Sequence, residues 1–260
     1  MCIIVYKPAG VKCPSRELLK VQFSNNPDGC GLMFPVTTKD GNKRVMVHKG
    51  FMNFDDFMRC YDENKKDEIP IVMHFRITTQ GGIKPELTHP FPISSNPKHM
   101  TYLDYTTPIA CVHNGIIKLT SSYGATTYSD TSKFATDFLP LILKSNDLTK
   151  LTENQKTLIT RLVDPSRFAI MDYNGKVVLF GEGWINDNGL WFSNQTYKSD
   201  KHAPIVVMPD KKVTKTKYGC CKDEGDPLFY PIPDYFCPAM DNNWGYCSHC
   251  AYREVCDAHK

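Results

Sequence analysis

The chain has 260 residues, of which 41% are hydrophobic and 23% charged, which is typical of an ordinary soluble globular protein. A formal net charge of +3 is too small to indicate a polyanionic partner such as nucleic acid. The sequence has neither an apolar run near the ~20 residues that span a bilayer nor the pattern of a signal peptide, so we expect a cytoplasmic protein without a membrane anchor.

The N-terminal residues Met1-Cys2-Ile3-Ile4-Val5 carry the first functional signal. The β-branched run predicts a strand, and removal of Met1 would leave Cys2 with a thiol and a free α-amine. Because the pKa of such an amine is near ~7.7–8.0, its neutral fraction can take the proton of an adjacent thiol. Cys2 would then supply both nucleophile and base, and we expect a lowered pKa for this thiol. A cysteine at position 2 alone has more often no catalytic role.

Strands and helices are predicted in an irregular order. The predicted helices are at residues 15–24, 54–61, 129–144 and 152–163, and the predicted strands at residues 31–36, 43–48, 69–76, 108–113 and 190–193, with a hairpin over residues 167–181. Asp40-Gly41 is a strong hairpin signal between two of these strands. The order lacks regular βαβ alternation and a glycine-rich phosphate loop, so it predicts a layered α+β fold.

Side chains suited to amide hydrolysis lie at the ends of these elements. Asn114 and Gly115 offer a side-chain amide and a backbone N–H to an oxyanion. Arg76 can bind a carboxylate in bidentate fashion, and Asp130 can bind an ammonium group. Singly, these residues are more often an ion-pair partner, a turn and a helix cap. Together with Cys2, they predict a site for a substrate with an α-amino acid head group.

Five short motifs occur together in this chain. They are Met1-Cys2 and the segments at residues 26–31 (Asn-Pro-Asp-Gly-Cys-Gly), 74–81 (His-Phe-Arg-Ile-Thr-Thr-Gln-Gly), 113–115 (His-Asn-Gly) and 129–131 (Ser-Asp-Thr). In combination they resemble the class II glutamine amidotransferases, which are N-terminal nucleophile hydrolases, over about residues 2–200. Ile3, Ile77 and Gln80 stand where members that make amino sugars or purines usually have Gly, Trp and His. The chain is therefore closer to the small stand-alone amidotransferase-like proteins.

The resemblance implies a four-layer αββα sandwich with the nucleophile at the end of a central strand. It also implies hydrolysis of the side-chain amide of glutamine through a γ-glutamyl thioester, without a cofactor, and release of ammonia. By this resemblance, Arg76 and Asp130 would bind the glutamine head group. Asn114 and Gly115 would form the oxyanion hole, and Thr79 and Gln80 would line the pocket.

The C-terminal part of the chain is rich in cysteine. The cysteines after residue 205 are Cys220, Cys221, Cys237, Cys247, Cys250 and Cys256. In a reducing compartment such clustering indicates a metal rather than disulfides. The last four suit zinc or an iron–sulfur cluster, and residues 247–256 also resemble the C-terminal iron–sulfur staple of certain nucleases. We therefore predict an amidotransferase-like domain at residues 1–205 and a metal-stapled tail at residues 206–260, which could hardly fold without its staple.

The leading hypothesis is a glutamine amidotransferase or glutaminase. Residues after 205 show no nucleotide-binding motif or synthase-sized domain, so the ammonia would pass to a partner synthase or acceptor-modifying protein. Two alternatives stay open: hydrolysis of another γ-glutamyl or acyl amide, and a non-catalytic binding module whose tail and lysines at residues 211–217 contact nucleic acid. That lysine run has no interleaved aromatic residues and is more typical of a solvated linker.

Overall fold

The computed structural model describes residues 2–78, 82–120 and 128–198, and the backbone of residues 214–215 and 221–222. The chain divides into two units, Met1–Ala203 and Pro204–Lys260. In the second unit, Thr214–Lys215 pairs antiparallel with Cys221–Lys222. The part of the first unit that is described contains no helix long and apolar enough to cross a membrane.

The first unit contains strands and helices in mixed order. The strands are β1 (Ile3–Lys7), β2 (Cys30–Thr37), β3 (Lys43–Phe51), β4 (Ile71–Phe75), β5 (Phe91–Pro92), β6 (Asp104–Thr107), β7 (Ile109–Asn114), β8 (Arg167–Asp172), β9 (Val177–Phe180), β10 (Ile185–Asp187) and β11 (Leu190–Phe192). The helices are α1 (Arg16–Asn25), α2 (Phe54–Asn64), α3 (Asp130–Lys133), α4 (Leu139–Leu143) and α5 (Glu153–Val163). Short 3₁₀ helices are formed by Pro85–Leu87, Pro97–Thr101, Leu148–Lys150 and Gln195–Lys198.

These strands form two antiparallel sheets. One has seven strands in the order β10-β11-β1-β4-β2-β3-β6, and the other has four in the order β5-β7-β8-β9. The hairpin predicted at Asp40-Gly41 is confirmed, because β2 and β3 pair across it, with Gly41 at a φ of 79°. The predicted α+β class agrees with this mixture of helices and antiparallel sheets.

Three apolar clusters fill the first unit. One lies between the two sheets, and its buried members are Ile4, Met33, Val45, Val47 and Val72 of the larger sheet and Ala110, Val112, Ala169 and Met171 of the smaller one. A second cluster packs α1 and α2 on the larger sheet, through residues such as Leu19 and Phe57. The third packs the helices between residues 130 and 163 on the smaller sheet. Alternation along β1 explains this division, since Ile3 and Val5 face the second cluster while Ile4 faces the first.

Local signals explain most helix starts. Ser15 accepts a hydrogen bond from the backbone N–H of Leu18 at 3.3 Å and begins α1. Thr152 and Gln155 form a reciprocal capping box at the start of α5. The prediction of one regular helix over residues 129–144 is wrong in its middle, where Phe134–Phe138 is π-helical. Pro140 follows this segment and lies in the first turn of α4. Proline is tolerated at that position because the N–H that it lacks would have no partner inside α4.

Candidate active site

Cys2 lies immediately before β1 and is half-buried. Its Sγ lies 3.4 Å from both the backbone nitrogen and the backbone oxygen of Ile77. This contact follows from strand pairing, since β1 is antiparallel to β4 with Ile3 opposite Phe75. The candidate nucleophile therefore faces the segment that begins at Arg76.

The polar residues after β11 hold the backbone around Cys2. Asn194 donates a hydrogen bond from Nδ2 to the carbonyl oxygen of Cys2 at 2.8 Å. Ser193 accepts through Oγ from the N–H of Ile4 at 2.9 Å and from Nδ2 of Asn114 at 2.8 Å. Sequence reasoning missed Ser193 and Asn194, although two polar residues directly after a short apolar strand were a possible signal.

Burial raises the pKa of the Cys2 thiol above its ordinary value. The backbone hydrogen bond from Ile77 and the positive charge of Arg76 favour the thiolate but do not offset this cost. The sequence-based expectation of a lowered pKa concerns Cys2 with a free α-amine and stays a prediction, since the chain here includes Met1. In that chain the nitrogen of Cys2 is a peptide N–H and can accept no proton.

Arg76 follows β4 and is 5% exposed. Its backbone N–H donates to the carbonyl oxygen of Gly29 at 2.8 Å, and its Nη1 donates to the carbonyl oxygen of Gly82 at 3.0 Å. These bonds join the arginine to the residue directly before β2 and to the segment after residue 81.

Arg76 is also close to three groups that can carry negative charge. Burial lowers the pKa of its guanidinium, and Cys2, Asp28 and Asp130 oppose that shift electrostatically, in that order. The structure thus brings together three of the predicted site residues from distant parts of the chain. Asp28 is an addition to them.

Asp28 has a larger role than the turn that the sequence indicates. Its Oδ2 accepts a hydrogen bond from the backbone N–H of Thr78 at 2.6 Å, and its own N–H donates to the carbonyl oxygen of Arg76 at 3.0 Å. One residue therefore clamps the segment after β4 at two points. The carboxylate is also a local negative charge near the guanidinium.

Asn114 ends β7 and is 5% exposed, and Gly115 follows it with a φ of 144°. A Cβ at Gly115 would lie 2.1 Å from Oγ of Ser166, so glycine is required by close packing as well as by its backbone conformation. Ser166 Oγ also accepts from the N–H of Ile116 at 3.2 Å. The turn that carries the predicted oxyanion donors is thereby fixed against the smaller sheet.

Asp130 is the first residue of α3, but it is not the helix cap that the sequence indicates as its default role. Ser129 is the cap and accepts from the N–H of Ser132 at 3.1 Å. Oδ2 of Asp130 accepts from the N–H of Ile117 at 2.8 Å, and Oδ1 accepts from the N–H of Thr131 at 2.7 Å. Its carboxylate therefore connects α3 to the turn after Asn114-Gly115.

Two sets of predicted residues lie outside the described ranges. They are the pocket residues Thr79 and Gln80 and the metal ligands Cys237, Cys247, Cys250 and Cys256. Within residues 2–78, 82–120 and 128–198, no group of three His, Cys, Asp or Glu side chains is arranged to hold a metal ion.

The first unit is thus an α+β structure of two antiparallel sheets with a cysteine-centred polar site at the ends of β1, β4 and β7. No protein-family model matches the sequence, and no curated protein matches it. Among solved structures, the chain is similar to the glutamine phosphoribosylpyrophosphate amidotransferase from B. subtilis complexed with ADP and GMP, with 14% sequence identity and a TM-score of 0.40. The match covers 74% of this chain and 41% of that chain, so the likeness extends over well under half of the amidotransferase.

Proposed function

We propose that this chain hydrolyses the side-chain amide of glutamine with Cys2 as the nucleophile and releases ammonia. The observation that carries the proposal is the position of Cys2 Sγ, 3.4 Å from the backbone of Ile77 and close to the charge of Arg76. We further propose that residues 1–205 form the four-layer αββα sandwich of the class II glutamine amidotransferases. Separate apolar clusters between and outside the two sheets support that architecture.

The proposed reaction begins after removal of Met1. The freed α-amine of Cys2 takes the thiol proton, and burial of the thiol makes such an adjacent base necessary. The thiolate attacks the amide carbon, and Asn114 Nδ2 and the N–H of Gly115 donate to the oxyanion. The ammonium of Cys2 then returns its proton to the leaving nitrogen, which departs as ammonia and leaves a γ-glutamyl thioester. Water attacks the thioester and releases glutamate and the thiol.

The head group of glutamine fits between opposite charges. We propose that Arg76 binds the α-carboxylate and Asp130 the α-ammonium, with Thr79 and Gln80 along the pocket. The electrostatic interaction of Arg76 with both Cys2 and Asp130 supports a substrate that reaches from the thiol to these charges.

The N-terminal chemistry provides a direct test. Wild-type protein whose intact mass lacks Met1 should release ammonia from glutamine, whereas a variant with extra residues fused before Cys2 should not, since its cysteine has no free amine. Equal activity of the extended variant would contradict the mechanism. Hydrolysis of other γ-glutamyl amides without hydrolysis of glutamine would support the alternative substrate class.

We propose that the released ammonia passes to a partner synthase or acceptor-modifying protein. Apolar side chains next to the proposed oxyanion turn support a contact surface there, since Ile116 and Leu119 are 43% and 50% exposed. Product formation from glutamine only in the presence of such a partner would test this step. Glutamine hydrolysis that no added partner alters or couples would oppose it.

We also propose that residues 206–260 hold a structural metal. Four thiolates at Cys237, Cys247, Cys250 and Cys256 would satisfy a tetrahedral zinc ion or an iron–sulfur cluster. Metal analysis and a visible spectrum distinguish the two, because an iron–sulfur protein is brown and a zinc protein is colourless. A protein with neither metal would contradict the proposal.

A further inference from the structure

A line of buried polar side chains runs behind the proposed site. His74 lies in β4, His113 in β7 and Thr131 in α3, and their exposed fractions are 0%, 2% and 1%. His74 precedes Arg76 by two positions, His113 precedes Asn114 and Thr131 follows Asp130. Each of the three is therefore within two positions of one residue of the proposed site.

Hydrogen bonds connect these three residues, the first through the backbone carbonyl of His113 and the second between two side chains. Nε2 of His74 lies 2.9 Å from the carbonyl oxygen of His113, and Nδ1 of His113 lies 2.8 Å from Oγ1 of Thr131. Oγ1 of Thr131 is in turn 3.3 Å from Oδ1 of Asp130. The line thus begins in the larger sheet, crosses to the smaller one and ends on the carboxylate proposed to bind the ammonium group of glutamine.

The chemistry of the two end acceptors sets the direction of every bond. A carbonyl oxygen only accepts, so Nε2 of His74 carries the hydrogen. A carboxylate also only accepts, so the hydroxyl of Thr131 donates to Asp130 and accepts from a protonated Nδ1 of His113. Each imidazole then needs one hydrogen, on opposite nitrogens of the two rings.

The surroundings of the two rings agree with these neutral forms. In the described part of the chain, Nδ1 of His74 and Nε2 of His113 have no hydrogen-bond partner. Burial lowers the pKa of His74 to about 3, and it lowers the pKa of His113 to about 4 against the opposing charge of Asp130. A neutral ring has a single N–H, and in both residues that N–H belongs to the line of bonds.

Most of the side chains packed between the two sheets are apolar, such as Ile4, Val72 and Val112. Apolar packing is non-directional, so it holds the sheets together without setting the orientation of a polar group at their edge. A buried hydrogen bond between the sheets adds that directional restraint. The carboxylate of Asp130 has about four acceptor positions on its two oxygens. Within the described ranges, the N–H of Ile117 and the N–H and Oγ1 of Thr131 use three of them, which leaves one for an ammonium group.

We propose that His74, His113 and Thr131 are positioning residues that orient the carboxylate of Asp130 relative to Arg76. They set the separation between the two charges that receive the ends of the glutamine head group. This role rests on the proposed glutaminase function. None of the three residues touches the reacting atoms, so they act on substrate binding rather than on the chemical step.

A kinetic comparison of three variants tests this role. Thr131→Val keeps the side-chain shape but removes the hydroxyl, and it should raise KM for glutamine about fivefold while kcat stays within about twofold. Thr131→Ser should restore the wild-type KM because it restores the hydroxyl. The matched control is Thr136→Val, which removes the hydroxyl that donates to the carbonyl oxygen of Ser132 at 2.8 Å, and it should leave both constants unchanged. An unchanged KM in Thr131→Val, or an equal rise in Thr136→Val, overturns the role.

A second measurement does not depend on activity. In protein labelled with ¹⁵N-histidine, NMR should show His74 with its hydrogen on Nε2 and His113 with its hydrogen on Nδ1 near neutral pH. The opposite tautomer at His113 overturns the line of bonds even if the protein hydrolyses glutamine. The expected tautomers in a protein without glutaminase activity would instead overturn the proposed function, and with it the role in substrate positioning.

Discussion

Asn114 donates a hydrogen bond from Nδ2 to Oγ of Ser193 at 2.8 Å. The same hydroxyl oxygen accepts from the N–H of Ile4 at 2.9 Å, two residues after Cys2. Asn114 belongs to the smaller sheet and Ile4 to the larger one, so one buried hydroxyl joins the proposed oxyanion donor to the strand of the nucleophile. The relative position of the two groups therefore depends on Ser193.

Replacement of Ser193 should affect both activity and stability. Ser193→Ala leaves the N–H of Ile4 and the amide of Asn114 without this acceptor, and we expect a loss of about 1–3 kcal/mol in the free energy of unfolding and about a tenfold lower kcat. Urea denaturation and ammonia release measure the two effects. Ser94→Ala is the control, since its hydroxyl bonds to His99 instead, and an equal loss of kcat there would contradict the assigned role.

Replacement of Cys2 should remove the chemistry and keep the fold. Cys2→Ala should abolish ammonia release from glutamine with an unchanged circular dichroism spectrum, because the half-buried thiol is a small part of the packing. Cys60→Ala is the matched control, since Cys60 is another cysteine of intermediate burial and lies in α2. A diazo-ketone analogue of glutamine should label Cys2 and no other cysteine. Labelling spread evenly over many cysteines would count against the site.

The buried histidines should make the free energy of unfolding depend on pH. Burial lowers the pKa of His74 to about 3, of His113 to about 4 and of His89 well below its usual range, whereas all three titrate near ~6.5 in the unfolded chain. Below pH ~6.5 the unfolded chain therefore binds more protons than the folded chain. The free energy of unfolding should have its full value above that pH and fall as the pH drops towards about 4.

Urea denaturation between pH 7 and pH 4 measures this slope, which should reach at most about 1.4 kcal/mol per pH unit for each histidine. The variant His74→Gln can still donate to the carbonyl oxygen of His113 but cannot be protonated, so its slope should be smaller. A free energy of unfolding that stays constant over this range would show that these rings are not held neutral.

A comparison of alanine substitutions at Gly115 and Gly10 separates the energetic cost of close packing from that of backbone strain. Gly115→Ala should reduce the free energy of unfolding by about 2 kcal/mol more than Gly10→Ala does. Both glycines have positive φ, 144° and 78°, but a Cβ would meet Oγ of Ser166 at 2.1 Å at Gly115 and nothing within 4 Å at Gly10. Denaturation of the two variants gives the difference, and equal losses would mean that the turn moves away from Ser166 at little cost.

Local patterns in the sequence were sufficient to predict most elements of the described fold. The turn at Asp40-Gly41 depends on a few adjacent residues, so it can be predicted without knowledge of the tertiary structure. The motif positions also placed Arg76 and Asn114 correctly at strand ends. Short strands such as Asp104–Thr107 escaped prediction because their partners, not their own residues, determine them.

Only the tertiary structure decided how the site is held and charged. The bond from Asn114 to Ser193 and that from His74 to His113 join residues far apart in the chain, and no local spacing predicts such pairs. The raised pKa of Cys2 likewise results from burial, which depends on everything packed around the thiol. Residue type and local order thus indicate which chemistry to expect, whereas desolvation and long-range hydrogen bonds, which exist only in the folded state, determine the geometry of the candidate site and the protonation of its groups.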